Sequence, residues 1–121
     1  MNYLVLAVIT ALVAFPQQAH EQALPEAPAG IAQSAAPEIL EKIAFCESQG
    51  RHFDENGKVL IGGINKHDIG KYQINSLYWR ELAERLGYDI EAEEGNEAMA
   101  IELYRRYGTA PWKWSKKCWS A

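Results

Sequence analysis

The sequence predicts a small, mainly α (α+β) domain that carries one short β-hairpin. Three stretches repeat apolar residues at the three- and four-residue spacing of a helix with one buried face. Between the first two stretches, Asn56-Gly57 is a strong hairpin-turn signal, and the β-prone run Val59-Leu60-Ile61 follows it. The chain has 121 residues, of which 48% are hydrophobic and 23% charged. This length and composition suit one globular domain.

The first helix is expected to begin at Pro37 and to end near Gly50. Proline suits the first turn of a helix, and Glu38 favours the positive end of the helix dipole. A glycine after an apolar run is a common helix stop. A carboxylate shares the expected inward face with apolar side chains. This face carries Ile39, Leu40, Ile43, Ala44 and Glu47.

Two further helices are predicted after the hairpin. Ser76 is expected to cap the first, which stops at Gly87, and Asn96 to cap the second, which closes at Gly108. Residues 111–118 are short, aromatic and basic, and are expected to form a last helical turn. The first of these helices is expected to run through Trp79, Leu82, Ala83 and Leu86, and the second to bury Ala98, Ile101, Tyr104 and Tyr107.

The N-terminal part of the chain is predicted to lie outside the domain. Residues 3–15 are almost entirely apolar, which suits the core of a secretory signal and falls short of the ~20 residues that span a bilayer. Residues 1–19 are therefore interpreted as a signal peptide with an ambiguous cleavage site. An uncleaved anchor or a buried helix is the alternative. Residues 20–36 predict a flexible Ala/Pro/Gln linker, and residues 37–121 the domain.

The two cysteines bear on the cellular compartment of the protein, and the net charge bears on its binding partners. In an exported protein, Cys46 and Cys118 predict a disulfide, whereas a cytosolic protein would keep them as reduced thiols. The histidines show no zinc-ligand spacing, so neither a metal nor a cofactor is expected. A net charge of −4 argues against nucleic acid and gives no general attraction to anionic membranes. A monomer without stable membrane insertion is expected.

A helix-borne glutamate precedes a second motif at about twenty residues' distance. Glu47 lies in Phe-Cys-Glu-Ser, and residues 68–75 read Asp-Ile-Gly-Lys-Tyr-Gln-Ile-Asn. Residues 68–79 resemble c-type lysozymes, while the Glu-Ser opening and Gly-x-x-Gln resemble soluble lytic transglycosylases (SLT-type domains). The resemblance spans residues 37–119. It implies a small lysozyme-like fold and cleavage of peptidoglycan, the glycan of bacterial cell walls.

Glu47 is the candidate general acid. Glycoside cleavage needs a carboxylic acid that is still protonated near neutral pH, and burial among apolar groups raises a carboxylate's pKa. The alternative is a glutamate at a helix end that points to solvent. The resemblance assigns Asp68 as a second catalytic carboxylate, while a turn aspartate is the alternative. Two features depart from the c-type pattern: the interval from Glu47 to Asp68 is longer, and its four disulfides are absent.

Four further side chains are expected to bind the sugar chain. Gln73 and Asn75 alternate on an extended segment, so both can face a cleft, although they could instead satisfy buried backbone groups. The motif residue Tyr72 and the adjacent Trp79 are the expected aromatic contacts. Trp112 and Trp119 are expected to pack around Cys118 instead.

The resemblance therefore implies an exported muramidase that acts on the bond between N-acetylmuramic acid (MurNAc) and N-acetylglucosamine (GlcNAc), MurNAc-β-1,4-GlcNAc. The long interval from Glu47 to Asp68 and the Glu-Ser opening favour a lytic transglycosylase with Glu47 as acid and base. A hydrolytic lysozyme that uses Glu47 and Asp68 is one alternative. A module that binds glycan without cutting it, or a structural component, is another.

Overall fold

The computed structural model describes residues 36–121. The predicted signal peptide and all but the last residue of the predicted linker lie outside this range. The elements in chain order are α1 (Glu38–Ser48), β1 (Asp68–Ile69), β2 (Ile74–Asn75), α2 (Ser76–Arg85), α3 (Glu93–Tyr107), a 3-10 segment (Ala110–Ser115) and α4 (Lys116–Trp119). The prediction of a mainly α-helical domain with a small antiparallel hairpin is confirmed. Over the described range, none of the helices has the length and apolar character needed to cross a membrane.

The core lies between α1, the hairpin and α3. From α1, Leu40, Ile43 and Ala44 are almost fully buried, so the predicted inward face of this helix is correct there. The rest of the core comes from elements far along the chain, which closes the domain around α1. These buried residues are Ile69, Tyr72, Ile74, Ala83, Ile90, Met99, Ala100, Leu103 and Trp112.

The β structure lies mainly in residues 68–75, later in the chain than the Asn56-Gly57 signal indicates. Asp68 pairs with Asn75 and Ile69 with Ile74, and the backbone N–H of Gln73 donates to the carbonyl of Gly70 at 3.0 Å. A single bridge from Ile61 to Ile69 adds a third chain segment. The hairpin is therefore built from the motif itself.

At the predicted Asn56-Gly57 hairpin, the structure has a longer turn and one bridge, from Phe53 to Val59. The Asp54 carboxylate accepts the N–H groups of Asn56 and Lys58 at 2.8 and 2.9 Å, and the Asp54 N–H donates to the Lys58 carbonyl. This side chain holds a loop of three residues instead of the predicted two-residue turn.

The helix starts differ from the predicted ones. Pro37 stands at the N-cap of α1 instead of inside its first turn. Asn75, not Ser76, caps α2, because the Asn75 amide oxygen accepts the N–H groups of Leu77 and Tyr78 at 3.0 and 3.2 Å.

The predicted cap of α3 was wrong, and its predicted buried face was right only in part, since Ile101 and Tyr104 are partly buried against the core. The helix begins at Glu93, and Asn96 is fully buried inside it, because its amide is used by the hairpin and the preceding loop instead of by its own helix end. The buried residues of α3 are Asn96, Met99, Ala100 and Leu103, whereas the predicted Tyr107 is 48% exposed.

The predicted cysteine pairing is confirmed. Cys46 of α1 and Cys118 of α4 are joined at a Cα–Cα distance of 5.9 Å and a sequence separation of 72 residues. The bond ties the short C-terminal helix to the helix that carries Glu47. Trp119 lies beside it and donates its indole N–H to the Trp112 carbonyl at 3.1 Å.

Candidate active site

A cavity of about 450 Å³ opens where the end of α1 meets the hairpin, α2 and the 3-10 segment. Two of its sides are named the hairpin wall (residues 68–75) and the C-terminal wall (residues 110–119). The charged and amide side chains that line the cavity are Glu47, Asn65, Asp68, Gln73, Asn75 and Lys113. The aromatic side chains that line it are Tyr78, Trp79, Trp112 and Trp114.

Glu47 lies in the last turn of α1 and is half-buried at the edge of this cavity. The hydroxyl of Ser115 donates a hydrogen bond to Glu47 Oε1 at 2.5 Å. Burial raises the pKa of Glu47 above its ordinary 4.5, the Ser115 hydrogen bond lowers it, and the charge of Asp68 raises it again; the net pKa is raised. The predicted protonated carboxyl group therefore has a physical basis in this environment.

Asp68 lies on β1 and lines the same cavity. The Asn75 amide donates to Asp68 Oδ1 at 3.1 Å across the hairpin register. Partial burial raises the pKa of Asp68, the Asn75 hydrogen bond and the nearby His67 lower it, and the net pKa is raised. The structure thus brings both predicted carboxylates to one cavity, close enough for the charge of Asp68 to affect Glu47.

The backbone of the hairpin wall is held by buried polar side chains from other elements. The hydroxyl of Ser48 donates to the Lys71 carbonyl at 2.7 Å, and His52 Nδ1 accepts the Lys71 N–H at 3.1 Å. His52 Nε2 in turn donates to the Glu91 carbonyl at 2.7 Å, which fixes the tautomer of the ring.

Asn96 is the third buried polar residue that fastens this turn. Its Oδ1 accepts the Tyr72 N–H at 3.0 Å, and its Nδ2 donates to the carbonyls of Ile69 and Ile90, both at 2.9 Å. Gly70 must approach these side chains closely, since a Cβ there would lie 2.4 Å from the His52 ring and 2.7 Å from the Asn96 amide. The motif glycine is therefore needed for packing as well as for its positive φ of 73°.

Gln73 and Asn75 both line the cavity as predicted, but their side chains make different hydrogen bonds. Gln73 has a φ of 47°, uncommon for a residue other than glycine, and its Nε2 donates to the Gly70 carbonyl at 3.0 Å. Its Oε1 lies next to Gly62, where an added Cβ would meet it at 3.1 Å. The Asn75 amide is occupied by the α2 cap and by Asp68. Asn75 therefore positions Asp68 in this arrangement.

Some aromatic side chains pack in the core, and others line the cavity. Tyr72 does not line the cavity: it is 3% exposed and packs against Trp112, with ring centroids 6.4 Å apart. Trp79 lines the cavity as predicted and packs on Tyr107 at 5.3 Å between ring centroids. Trp112 is almost fully buried and donates its indole N–H to the Tyr72 carbonyl at 2.9 Å. This bond links the two walls directly.

The sequence interpretation missed Tyr78, Trp114, Lys113, Ser115 and Asn65. Tyr78 and Trp114 line the cavity at 77% and 90% exposure. The aromatic and basic run of residues 111–118 is a signal for this wall, although by itself it predicts only a last helical turn. No local pattern pairs Ser115 with Glu47, because 68 residues separate them.

Comparison with protein families, with curated proteins and with solved structures gives no match for this chain. The resemblance to lysozyme-like proteins therefore stays a prediction. Within residues 36–121, no group of three or more His, Cys, Asp or Glu side chains is arranged to hold a metal ion.

Proposed function

We propose that this protein cleaves the glycan strand of peptidoglycan at the MurNAc-β-1,4-GlcNAc bond, as a lytic transglycosylase with Glu47 as general acid and then base. One observation carries the proposal: a half-buried glutamate with a raised pKa opens into a cavity lined by exposed aromatic rings. A carboxylic acid of this kind is the group that glycoside cleavage requires.

In the first step, protonated Glu47 gives its proton to the glycosidic oxygen as the bond from C1 of muramic acid to that oxygen breaks. Ser115 donates to Oε1, so Oε2 is the oxygen that carries the proton. In the second step, ionised Glu47 takes the proton from the 6-hydroxyl of the same sugar, whose oxygen attacks C1. The products are a 1,6-anhydro end and a free GlcNAc end, and Glu47 is protonated again.

The cavity supplies contacts of the kind that a sugar chain uses. Tyr78, Trp79 and Trp114 offer ring surfaces for the apolar faces of sugars, and Gln73 Oε1 can accept a hydrogen bond from a hydroxyl or an N-acetyl group. Tyr78 and Trp114 are 77% and 90% exposed, so both rings are accessible to a ligand. Tyr72, buried in the core, supports the site through packing.

Hydrolysis is the second candidate, and the position of Asp68 favours it. A carboxylate in the same cavity as Glu47 could stabilise the oxocarbenium-like centre or attack it, after which water completes the reaction. We place it second because Asp68 is held by Asn75 as part of the hairpin, and transglycosylation needs no second carboxylate.

An exported location belongs to the same proposal. Peptidoglycan lies outside the cytoplasmic membrane, and a disulfide between Cys46 and Cys118 persists in oxidising compartments. The apolar residues 3–15 would supply the export signal.

Mass analysis of digested peptidoglycan tests the proposal. Wild-type protein should release muropeptides with anhydro ends, and Glu47→Gln should lower the rate at least about 10²-fold. Asp68→Asn should keep at least about a tenth of the activity, because the substrate's own hydroxyl is the nucleophile. Reducing ends together with an inactive Asp68→Asn enzyme would establish hydrolysis instead. Intact glycan after incubation with wild-type protein would leave only a non-catalytic module.

The melting temperature of the Glu47→Gln protein shows whether the variant is folded. The raised pKa of Glu47 means that its ionisation opposes folding, an effect present above the folded-state pKa and absent below the ordinary value of 4.5. At pH 7 the Gln variant should therefore melt no lower than wild type, and any advantage should shrink as the pH falls towards 4.5.

A further inference from the structure

Lys113 and Trp114 form an exposed pair on the C-terminal wall that the proposed chemistry does not use. Both line the cavity, and Lys113 Nζ lies 5.0 Å from the centroid of the Trp114 ring. Trp114 is 90% exposed. A cation within about 6 Å of an indole ring is attracted to its face, which keeps the ammonium group beside the ring surface.

Lys113 differs in the sign of its charge from the other charged side chains around the cavity. Among the described residues, Lys113 is the one cation that lines the cavity, where the other charged side chains are Glu47 and Asp68. Lys113 makes no ion pair with any residue in the described range. The acidic groups lie on α1 and β1, whereas the ammonium group lies on the 3-10 segment. A ligand with a neutral reacting bond and one acidic substituent fits this distribution.

We infer that Lys113 and Trp114 form a subsite that recognises a carboxylate carried by a sugar stacked on the indole. This inference rests on the proposed function, since it takes the same cavity to bind a glycan. Lys113 Nζ lies over one face of the indole, so the apolar face of the sugar would stack on the other face. The flexible lysine side chain would bring its ammonium group to the acidic substituent of that sugar. The pair therefore selects peptidoglycan over glycans made of N-acetylglucosamine alone, which carry no charge.

Two parts of peptidoglycan can supply the carboxylate. In a glycan without stem peptides, the lactyl group of each muramic acid ends in a free carboxylate. In a peptide-bearing glycan, that carboxyl group is an amide, and the carboxylates belong to the stem peptide. Both sources present the same chemistry to Lys113, and binding measurements on the two glycans distinguish them.

The test measures dissociation constants of the full chain carrying Glu47→Gln, so that the glycans stay intact. The ligands are peptide-free MurNAc-GlcNAc oligosaccharides, peptide-bearing oligosaccharides and chitin oligosaccharides of equal length. At least one carboxylate-bearing glycan should bind about fivefold tighter than chitin, the size expected for one solvent-exposed ion pair. Preference for the peptide-free glycan assigns the lactyl group, and preference for the peptide-bearing glycan alone assigns the stem peptide. The preference should weaken as salt is raised.

A matched pair of substitutions makes the test specific to Lys113. Adding Lys113→Gln should abolish the preference, while Lys117→Gln, which changes an exposed lysine outside the cavity lining, should retain it. Equal affinity for all three glycans, undetectable binding of all three, or an unchanged preference in the Lys113→Gln protein would overturn the inference. Wild-type protein that shows the preference without cleaving would refute only the proposed function. Cleavage without the preference would refute only this inference.

Discussion

The two walls of the cavity are fastened by different means. The hairpin wall has strands of only two residues each, and its turn is held by the buried side chains of Ser48, His52 and Asn96. The C-terminal wall is a 3-10 segment and a four-residue helix, joined to α1 by the disulfide. One wall therefore depends on buried hydrogen bonds, and the other on a covalent bond together with the packing of Trp112.

The difference matters because each wall supplies one partner to the same glutamate. The hairpin wall supplies the charge of Asp68, which raises the pKa of Glu47, and the C-terminal wall supplies the hydroxyl of Ser115, which lowers it. Neither wall has a long regular element that would hold it alone. Loosening one wall should therefore change the pKa of Glu47 without unfolding the other wall. Each wall can be loosened separately to test this.

Reduction of the disulfide should have the largest effect. In the chain-entropy model, a bond that closes a loop of this length stabilises the fold by about 4 kcal/mol. The melting temperature should fall by about 15 °C or more in reductant, while a Cys46→Ser, Cys118→Ser double variant should melt low in both conditions. In the reduced protein that remains folded, hydrogen exchange should quicken in residues 110–119 while the amides of Lys71 and Tyr72 stay protected. Two titratable thiols in the native exported protein would contradict the bond.

Asn96→Ala should loosen the opposite wall. It removes the three hydrogen bonds of a fully buried side chain. The Tyr72 N–H and the carbonyls of Ile69 and Ile90 lose this partner. We expect a loss of about 3 kcal/mol, measured by denaturant unfolding, with faster exchange of the Tyr72 amide. Asn56→Ala, at an exposed turn position, is the matched control and should change stability by less than about 0.5 kcal/mol. A loss no larger than that of the control would show that Asn96 does not fasten the hairpin.

The sequence predicted local features well where side-chain spacing decides them. The inward face of α1 follows from helical periodicity, and the pairing of Cys46 with Cys118 follows from there being two cysteines. The predicted cap at Asn96 failed because its amide bonds to the hairpin, a tertiary contact that capping rules do not include. The same limit applies to Tyr72, whose motif position gave no sign that it packs on Trp112.

The candidate site was predicted on one side only. Glu47, Asp68, Gln73 and Trp79 could be identified because they lie in or next to two short motifs. The C-terminal wall could not, because its place beside Glu47 depends on the disulfide and on the packing of Trp112. That long-range contact places Ser115 and Lys113 in the site, and no periodic pattern in the sequence indicates it.

The pH dependence of peptidoglycan cleavage tests the central claim most directly: Glu47 is the acid, and the two walls tune it in opposite directions. Activity should decline as pH rises through the pKa of Glu47, since the protonated form is required. Ser115→Ala removes a hydrogen bond that lowers this pKa, so the alkaline limb should move to higher pH. Asp68→Asn removes a charge that raises it, so the limb should move to lower pH. Limbs that stay in place, or that move in the same direction in both variants, would contradict the claim.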